Sequence, residues 1–249
     1  MNFKKLSFTA ALVYTSVFAS SMSDIDPNEA LKLLQDGNKR FIEGKPTHIN
    51  AGLNRVKETS KGQHPFVTIN ACSDSRVPVE ILFDRGFGDI FVIRNAGNVS
   101  DTDEAGTIEY GTEHLGTRLV VILGHTSCGA VTAVAKGDHV EGNIPKLVDN
   151  IVPAVTKVKD KNSGHSYDKW LNEAITQNVW QSYEDLLNKS EIVKHLVKDK
   201  KVKIVGAMYN VDTGEVKFLG EHPNLKALLE TNGSHSSSGK IDASKYTIK

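Results

Sequence analysis

Residues 118–125 read RLVVILGH. Five consecutive apolar residues, Leu119 to Leu123, leave no side of a strand for water. A run this short, continuous and rich in β-branched residues is expected where both faces of a parallel sheet are covered. Two more runs have the same character, FVTINA (66–71) and DIFVIRN (89–95). Segments able to form helices lie between them, Val79 to Phe83 and Asp103 to Leu115. Strands alternating with helices predict an α/β fold with a central, mostly parallel β-sheet flanked by helices. KVKIVGAMYNVDTGEVKFL (201–219) adds a fourth strand, a turn at Asp212-Thr213-Gly214 and a short antiparallel return at the edge.

Outward from this centre, Asp24 or Asp26 caps a helix that carries Pro27 in its first turn. Ala30, Leu33, Leu34, Phe41 and Ile42 give that helical arm an apolar side, and Gly44-Lys45-Pro46 stops it. Residues 47–64 are polar and irregular, with a short helix predicted around Arg55 to Lys61. Between Lys169 and Lys200, residues such as Leu171, Ala174, Ile175, Trp180, Tyr183, Leu186 and Leu187 form a helical stripe that reads as core. The tail from Thr231 to Lys249 is polar and rich in Ser and Gly, so residues 231–249 are expected to be a flexible extension.

The 249 residues suit one large α/β domain, predicted over residues 20–230. With 30 basic and 30 acidic residues and few aromatics, the chain lacks the electrostatic footprint of a nucleic-acid binder. Its first residues are a different matter. MNFKK is a short basic stretch, Leu6 to Ala19 is apolar, and Val17 and Ala19 are small residues at the −3 and −1 positions of a cleavage site. Residues 1–19 therefore read as a secretory signal peptide. A membrane anchor would need a run of about 18 or more apolar residues. Cleavage after Ala19 removes Lys4 and Lys5 and leaves 28 basic against 30 acidic residues. The mature protein is expected to be soluble and exported.

Two of the strand-like runs end in reactive residues. FVTINA runs into Cys72-Ser73-Asp74-Ser75-Arg76, and RLVVILG runs into His125-Thr126-Ser127-Cys128. Ligands of open α/β sheets bind beyond the carboxyl ends of the strands. If these two strands are neighbours, Cys72, His125 and Cys128 converge at one edge of the sheet. Two thiolates and an imidazole suit Zn²⁺ with a fourth position left open. Cys72, Asp74 and Arg76 alternate, and in an extended segment alternate residues share a side. C-x-D-x-R or H-x-x-C alone carries little information. Placed together after two strands, and using the only two cysteines in the chain, they carry much more. The competing reading is a Cys72–Cys128 disulfide in a non-enzymatic exported protein, which leaves the offsets of Asp74, Arg76 and His125 without a reason. A hydrolase is weaker, since GHTSCGA lacks the G-x-S-x-G elbow and a nucleophilic cysteine needs a separate histidine as base.

ACSDSRVPVE (71–80), FVIRNAGN (91–98), TIEYGTEHLGTRLVVILGHTSCGAV (107–131) and the helical ALKLLQDGNKRFIEGKP (30–46) resemble the β-class carbonic anhydrases, over about Asp26 to Phe218. The resemblance implies one Zn²⁺ per chain on Cys72, His125 and Cys128, with Asp74 and Arg76 as a catalytic dyad beside it. It implies reversible hydration of carbon dioxide to bicarbonate and a proton, by attack of hydroxide held on zinc. In the family's closed state the aspartate, here Asp74, becomes the fourth zinc ligand. The branch with a bicarbonate-driven closed state has Trp three residues before the first zinc cysteine; Ile69 stands there, which predicts the open form. Two thiolates cancel the metal charge, so activity is expected to favour mildly alkaline pH, above the value of about 7 at which water titrates on the three-histidine carbonic anhydrase zinc. Gln63, Phe91 and Tyr110 match residues that line the CO₂ pocket across a dimer interface. Ala96 stands where valine is frequent, and Gly129 leaves an amide and free space beside the metal. The implied partners are CO₂ or bicarbonate and a second copy of the chain, as a homodimer or a tetramer. With the signal peptide, the implied location is the periplasm. No feature singles out His64, His114 or His139 as a proton shuttle, and Arg94 reads as a holder of loops.

Overall fold

The computed structural model describes residues 25–159 and 166–231. The predicted signal peptide and all of the predicted flexible extension but Thr231 lie outside these residues. Helix α1 (Pro27–Ile42) starts on the Asp26 carboxylate, which accepts from the Asn28 amide at 2.8 Å. Pro27 fills a first-turn position that needs no amide donor. The short helix in the polar segment is α2 (Leu53–Thr59). The three apolar runs become β1 (Val67–Cys72), β2 (Ile90–Asn95) and β3 (Leu119–His125), with α3 (Val79–Leu82) and α4 (Thr102–Glu109) between them. After β3 come α5 (Gly129–Lys136), α6 (Ile144–Val148), α7 (Val152–Lys159), α8 (Tyr167–Lys189) and α9 (Glu191–Lys198). The chain then adds β4 (Lys203–Tyr209), β5 (Val216–Gly220) and α10 (Leu225–Glu230).

The sheet has the order β2-β1-β3-β4-β5, with three parallel pairings and an antiparallel edge between β4 and β5. This is the predicted fold class. Side chains of β3 alternate between two cores. Leu119, Val121 and Leu123 pack with Leu34 of α1 and Leu82 of α3, whereas Val120 and Ile122 pack with Ile108 of α4 and Val179, Tyr183 and Leu186 of α8. All are buried, and each aliphatic side chain so buried contributes roughly 1.5–3 kcal/mol. Gly124 lets α8 lie close to the sheet, because a Cβ there would stand 2.6 Å from Val179.

The helix predicted over Asp103 to Leu115 is not continuous. It changes at Tyr110–His114 into a π-turn, in which the Leu115 amide reaches back five residues to the Tyr110 carbonyl at 3.0 Å. The Gly111 carbonyl, which an α-helix would give to that amide, accepts instead from the amide and hydroxyl of Thr117, at 3.0 and 2.9 Å. Helices α5, α6 and α7 were not read from sequence at all, since each is too short to show a clear apolar period.

Buried Asn38 ties three parts of one core together. Its amide nitrogen donates to the carbonyls of Leu82 and Gly214 at 3.1 and 2.9 Å, and its oxygen accepts from the Val216 amide at 2.9 Å. Asn38→Ala leaves these backbone groups buried without partners, at a cost of about 1–3 kcal/mol for each unsatisfied group. A loss of about 3 kcal/mol in urea unfolding is expected; a loss below about 0.5 kcal/mol would show that the tie is energetically idle.

Candidate metal centre

The connections that follow β1 and β3 leave in opposite directions, one toward β2 and the other toward β4. A crevice opens at the carboxyl ends of two such neighbouring strands. Cys72 is the last residue of β1 and His125 the last of β3, and the register aligns Ala71 with Leu123, so both leave the sheet at the same edge. Past His125 the chain turns through Ser127, at φ +56°, and Cys128 stands at the N-cap position just before α5. The ligating atoms of Cys72, His125 and Cys128 all lie within 4.8 Å of one another, and all three residues are buried. Neither cysteine is in a disulfide.

The His125 ring is oriented by its own turn. Its Nδ1 is 2.9 Å from the Thr126 carbonyl, to which it donates a proton, which leaves Nε2 as the nitrogen available to a metal. Nε2 is buried and has no hydrogen-bond partner. Cys72 Sγ accepts from the Gly97 amide at 3.3 Å. Its pKa is pulled down to about 4, first by the hydrogen bond from the Cys128 thiol and then by His125 and the amides of Gly97 and Asp74, against the cost of burial. Cys128 is pushed up by its bond to the Cys72 sulfur and by burial. Two cysteine sulfurs thus lie beside an imidazole nitrogen without a hydrogen-bond partner. These three residues could hold a metal ion.

Asp74 and Arg76 come together by a different route from the one expected. The strand ends at Cys72, and the Val77 amide closes a turn on the Asp74 carbonyl at 3.0 Å, so the alternation of an extended segment does not apply. The Asp74 Oδ1 accepts from the Arg76 backbone amide and Nε, both at 2.9 Å, and Oδ2 accepts from Nη2 at 2.7 Å. This fork holds the Asp74 carboxyl well below the usual carboxylate range. Arg76 Nη2 also donates to the Ser127 carbonyl at 3.2 Å, and Asp74 Oδ2 stands 3.9 Å from His125 Nε2. Arg94 holds the loop as read from sequence, donating to the carbonyls of Cys72 and Asp74 at 3.2 and 2.7 Å.

A family model described as carbonic anhydrase matches residues 67–216. The carbonic anhydrase of Mycolicibacterium smegmatis is 35% identical over 201 residues, covering 79% of this chain and 95% of its own length. Carbonic anhydrase 2 of Mycobacterium tuberculosis is 34% identical over 197 residues, covering 78% and 93%. The structure of the β-carbonic anhydrase CafA of Aspergillus fumigatus matches with a TM-score of 0.65 at 25% identity, over 84% of this chain and 99% of that one. The chain belongs to the β-class carbonic anhydrases. It is an enzyme of that class, whose general reaction is the hydration of carbon dioxide.

Within one chain of this carbonic anhydrase the expected pocket residues do not all meet the metal centre. Ala96 immediately precedes Gly97, whose amide reaches Cys72 Sγ, and Gly129 immediately follows Cys128. A Cβ on Gly129 would find open space. Phe91 and Tyr110 pair with each other, ring centroids 5.9 Å apart, and Tyr110 is exposed. Phe91 lies four positions before Asn95, the residue level with Cys72, which is about 13 Å along the strand. Gln63 is exposed in the segment before β1. Sequence reasoning missed the residues behind the cluster, namely Asn70, Gly97, Asn178 and Ser182. A signal was present for three of them. Asn70 interrupts the apolar run of β1, and Asn178 and Ser182 sit one helical turn apart on the apolar side of α8.

Metal uptake requires both thiols to be deprotonated. With Cys72 lowered and Cys128 raised, the proton lost at pH 7 comes from Cys128, and about one is expected per chain. Affinity then falls as pH falls. Release of two protons, measured with an indicator dye in weak buffer, would show that Cys72 is a thiol in the free chain.

Proposed function

We propose that this carbonic anhydrase interconverts carbon dioxide and bicarbonate at a Zn²⁺ held by Cys72, His125 and Cys128. The observation that carries the reading is the buried Nε2 of His125, without a hydrogen-bond partner, beside the sulfurs of two unbridged cysteines at the crevice between β1 and β3. Two sulfurs and one imidazole nitrogen fit the ligand types of Zn²⁺ and leave a fourth position open. When bound, Zn²⁺ supplies Lewis-acid activation of water near neutral pH.

The protein's own residues do the rest. Arg76 keeps Asp74 ionised, so the carboxylate can accept a hydrogen bond from water in the crevice and orient it toward carbon dioxide. The same fork occupies both Asp74 oxygens and opposes movement of Asp74 onto the metal, which supports the open form. Ile69 is buried in the core shared with α1. The free space at Gly129 leaves room for a triatomic substrate beside the cluster.

Asp74→Asn removes the charge at constant shape. Its kcat/KM is expected to fall about 100-fold or more, with zinc content unchanged at one per chain by elemental analysis. Undiminished CO₂ hydration in the zinc-loaded variant would sink the role given to Asp74, and a zinc-free wild-type protein would sink the metal site.

We also propose that the enzyme is exported, through cleavage near Ala19, to the periplasm and works there as a homodimer. The pairing of half-buried Phe91 with exposed Tyr110, remote from its own chain's cluster, supports a pocket completed by a second copy. N-terminal sequencing of periplasmic protein should begin near Ser20, and sedimentation should give a dimer. An intact Met1 or a monomer would contradict the respective proposal.

A further inference from the structure

The loop that follows β2 meets the metal centre through a single hydrogen bond, from the Gly97 amide to Cys72 Sγ. Gly97 takes φ +82°, a left-handed conformation that glycine adopts without strain. The residue is also packed: a Cβ there would stand 2.7 Å from Ile151 Cδ1 and 3.3 Å from Ala130 Cβ. Glycine has wide rotational freedom about its own bonds, so something else must aim this amide at the sulfur.

Three buried side chains from two elements clamp the loop carbonyl by carbonyl, and a fourth, from the loop itself, links them. Asn178 of α8 donates its amide to the Gly97 carbonyl at 2.7 Å. Ser182, one turn later on α8, donates to the Asn98 carbonyl. Asn70 of β1 donates to the Val99 carbonyl at 2.9 Å and to Ser100 Oγ at 3.1 Å. Ser100 Oγ in turn lies 3.3 Å from Ser182 Oγ. Asn70 and Ser100 are wholly buried, and Asn178 and Ser182 are 2% exposed. Of the four, only Asn178 binds Gly97 itself, the residue whose amide reaches the sulfur.

We propose that Asn178 is a positioning residue of the metal centre. By fixing the Gly97 carbonyl, Asn178 fixes the rotation of the flexible residue and keeps its amide on Cys72 Sγ. A sulfur that accepts a hydrogen bond donates less charge to a metal, so this bond tunes the ion as well as placing the ligand. Helix α8 thereby sets the electronic character of a cluster to which it contributes no ligand. The inference rests on the reading of Cys72, His125 and Cys128 as a metal site.

The test uses the full chain loaded with Co²⁺, whose sulfur-to-metal charge-transfer band reports on the thiolates directly. In Asn178→Leu the band should move to lower energy, and the metal affinity should fall at least about tenfold, as outer-shell losses do. Asn38→Ala serves as the control. It weakens the fold from a distant core and is expected to leave both band and affinity in place. If Asn178→Leu fails to fold, Asn178→Ser, which shortens the side chain but keeps it polar, gives the same readouts. A Cd²⁺-loaded, ¹⁵N-labelled wild-type chain supplies a measurement that needs no variant: the Gly97 amide proton should couple to ¹¹³Cd through the sulfur. An unmoved band with unchanged affinity in the folded Asn178 variant overturns the positioning role alone, as does a Gly97 amide without coupling in metal-loaded protein. A wild-type chain that takes up neither Co²⁺ nor Cd²⁺ overturns the metal reading and the inference with it.

Discussion

The parallel pairing of β1 with β3 is the constraint on which the centre depends. Cys72 and His125 are more than fifty residues apart in sequence, and only this register brings their strand ends to one edge. The register sets Cys72 one position short of the level of His125; a slip of one residue would change that offset by about 3.3 Å and turn the apolar side chains of β1 to the wrong faces of the sheet. The register is held by apolar packing on both sides. Ile69 and Ala71 face one core, with Val121 and Leu123; Val120 and Ile122 face the other. The hydrophobic effect thus positions the chemistry, because burial of the strands decides where the donors emerge. The reversal of connection direction at the same two strands then leaves the crevice open above them.

A second layer of order comes from the need to satisfy charge in a buried place. A thiolate at Cys72 is tolerable because Cys128, His125 and two backbone amides surround it. The Asp74 carboxylate, 3.9 Å from His125 Nε2, is tolerable because Arg76 grips it with three hydrogen bonds. Arg94 and Arg76 also bind carbonyls of the two ligand-bearing loops, so both guanidinium groups brace backbone as well as balance charge. Among the described residues, this centre is the one cluster of His, Cys, Asp and Glu whose ligating atoms gather closely enough to hold a metal. The cavity of about 710 Å³ on the side of α8, lined by Lys169, Asn172, Thr176 and Trp180, lies away from it. Cavity size is a poor guide to chemistry in a protein whose substrate has three atoms.

Much of this was legible in residue order because the relevant signals are local. Continuous apolar runs marked β1, β2 and β3. Asp24 or Asp26, with Pro27, marked the start of α1, and the Asp-Thr-Gly turn marked the antiparallel edge. The ligand types at Cys72, His125 and Cys128 stood out because the chain has no other cysteine. The π-turn at Tyr110–His114 was not legible, since it depends on Thr117 claiming the Gly111 carbonyl from outside the helix. The Asp74–Arg76 geometry was misjudged for a related reason. Alternation holds only while the strand lasts, and the side chain of Asp74 itself helps to end it by accepting the Arg76 amide.

Sequence alone therefore determined the α/β class, the strands and the identity of the reactive residues, since each follows from composition over a few neighbouring positions. Tertiary structure decided what surrounds them. Asn178 and Ser182 are two polar residues in a long helix until that helix packs on the sheet beside Gly124 and reaches the carbonyls of Gly97 and Asn98. Hydrogen bonds between residues some eighty positions apart have no local signature. They exist because close packing leaves a buried carbonyl only one place to find a donor.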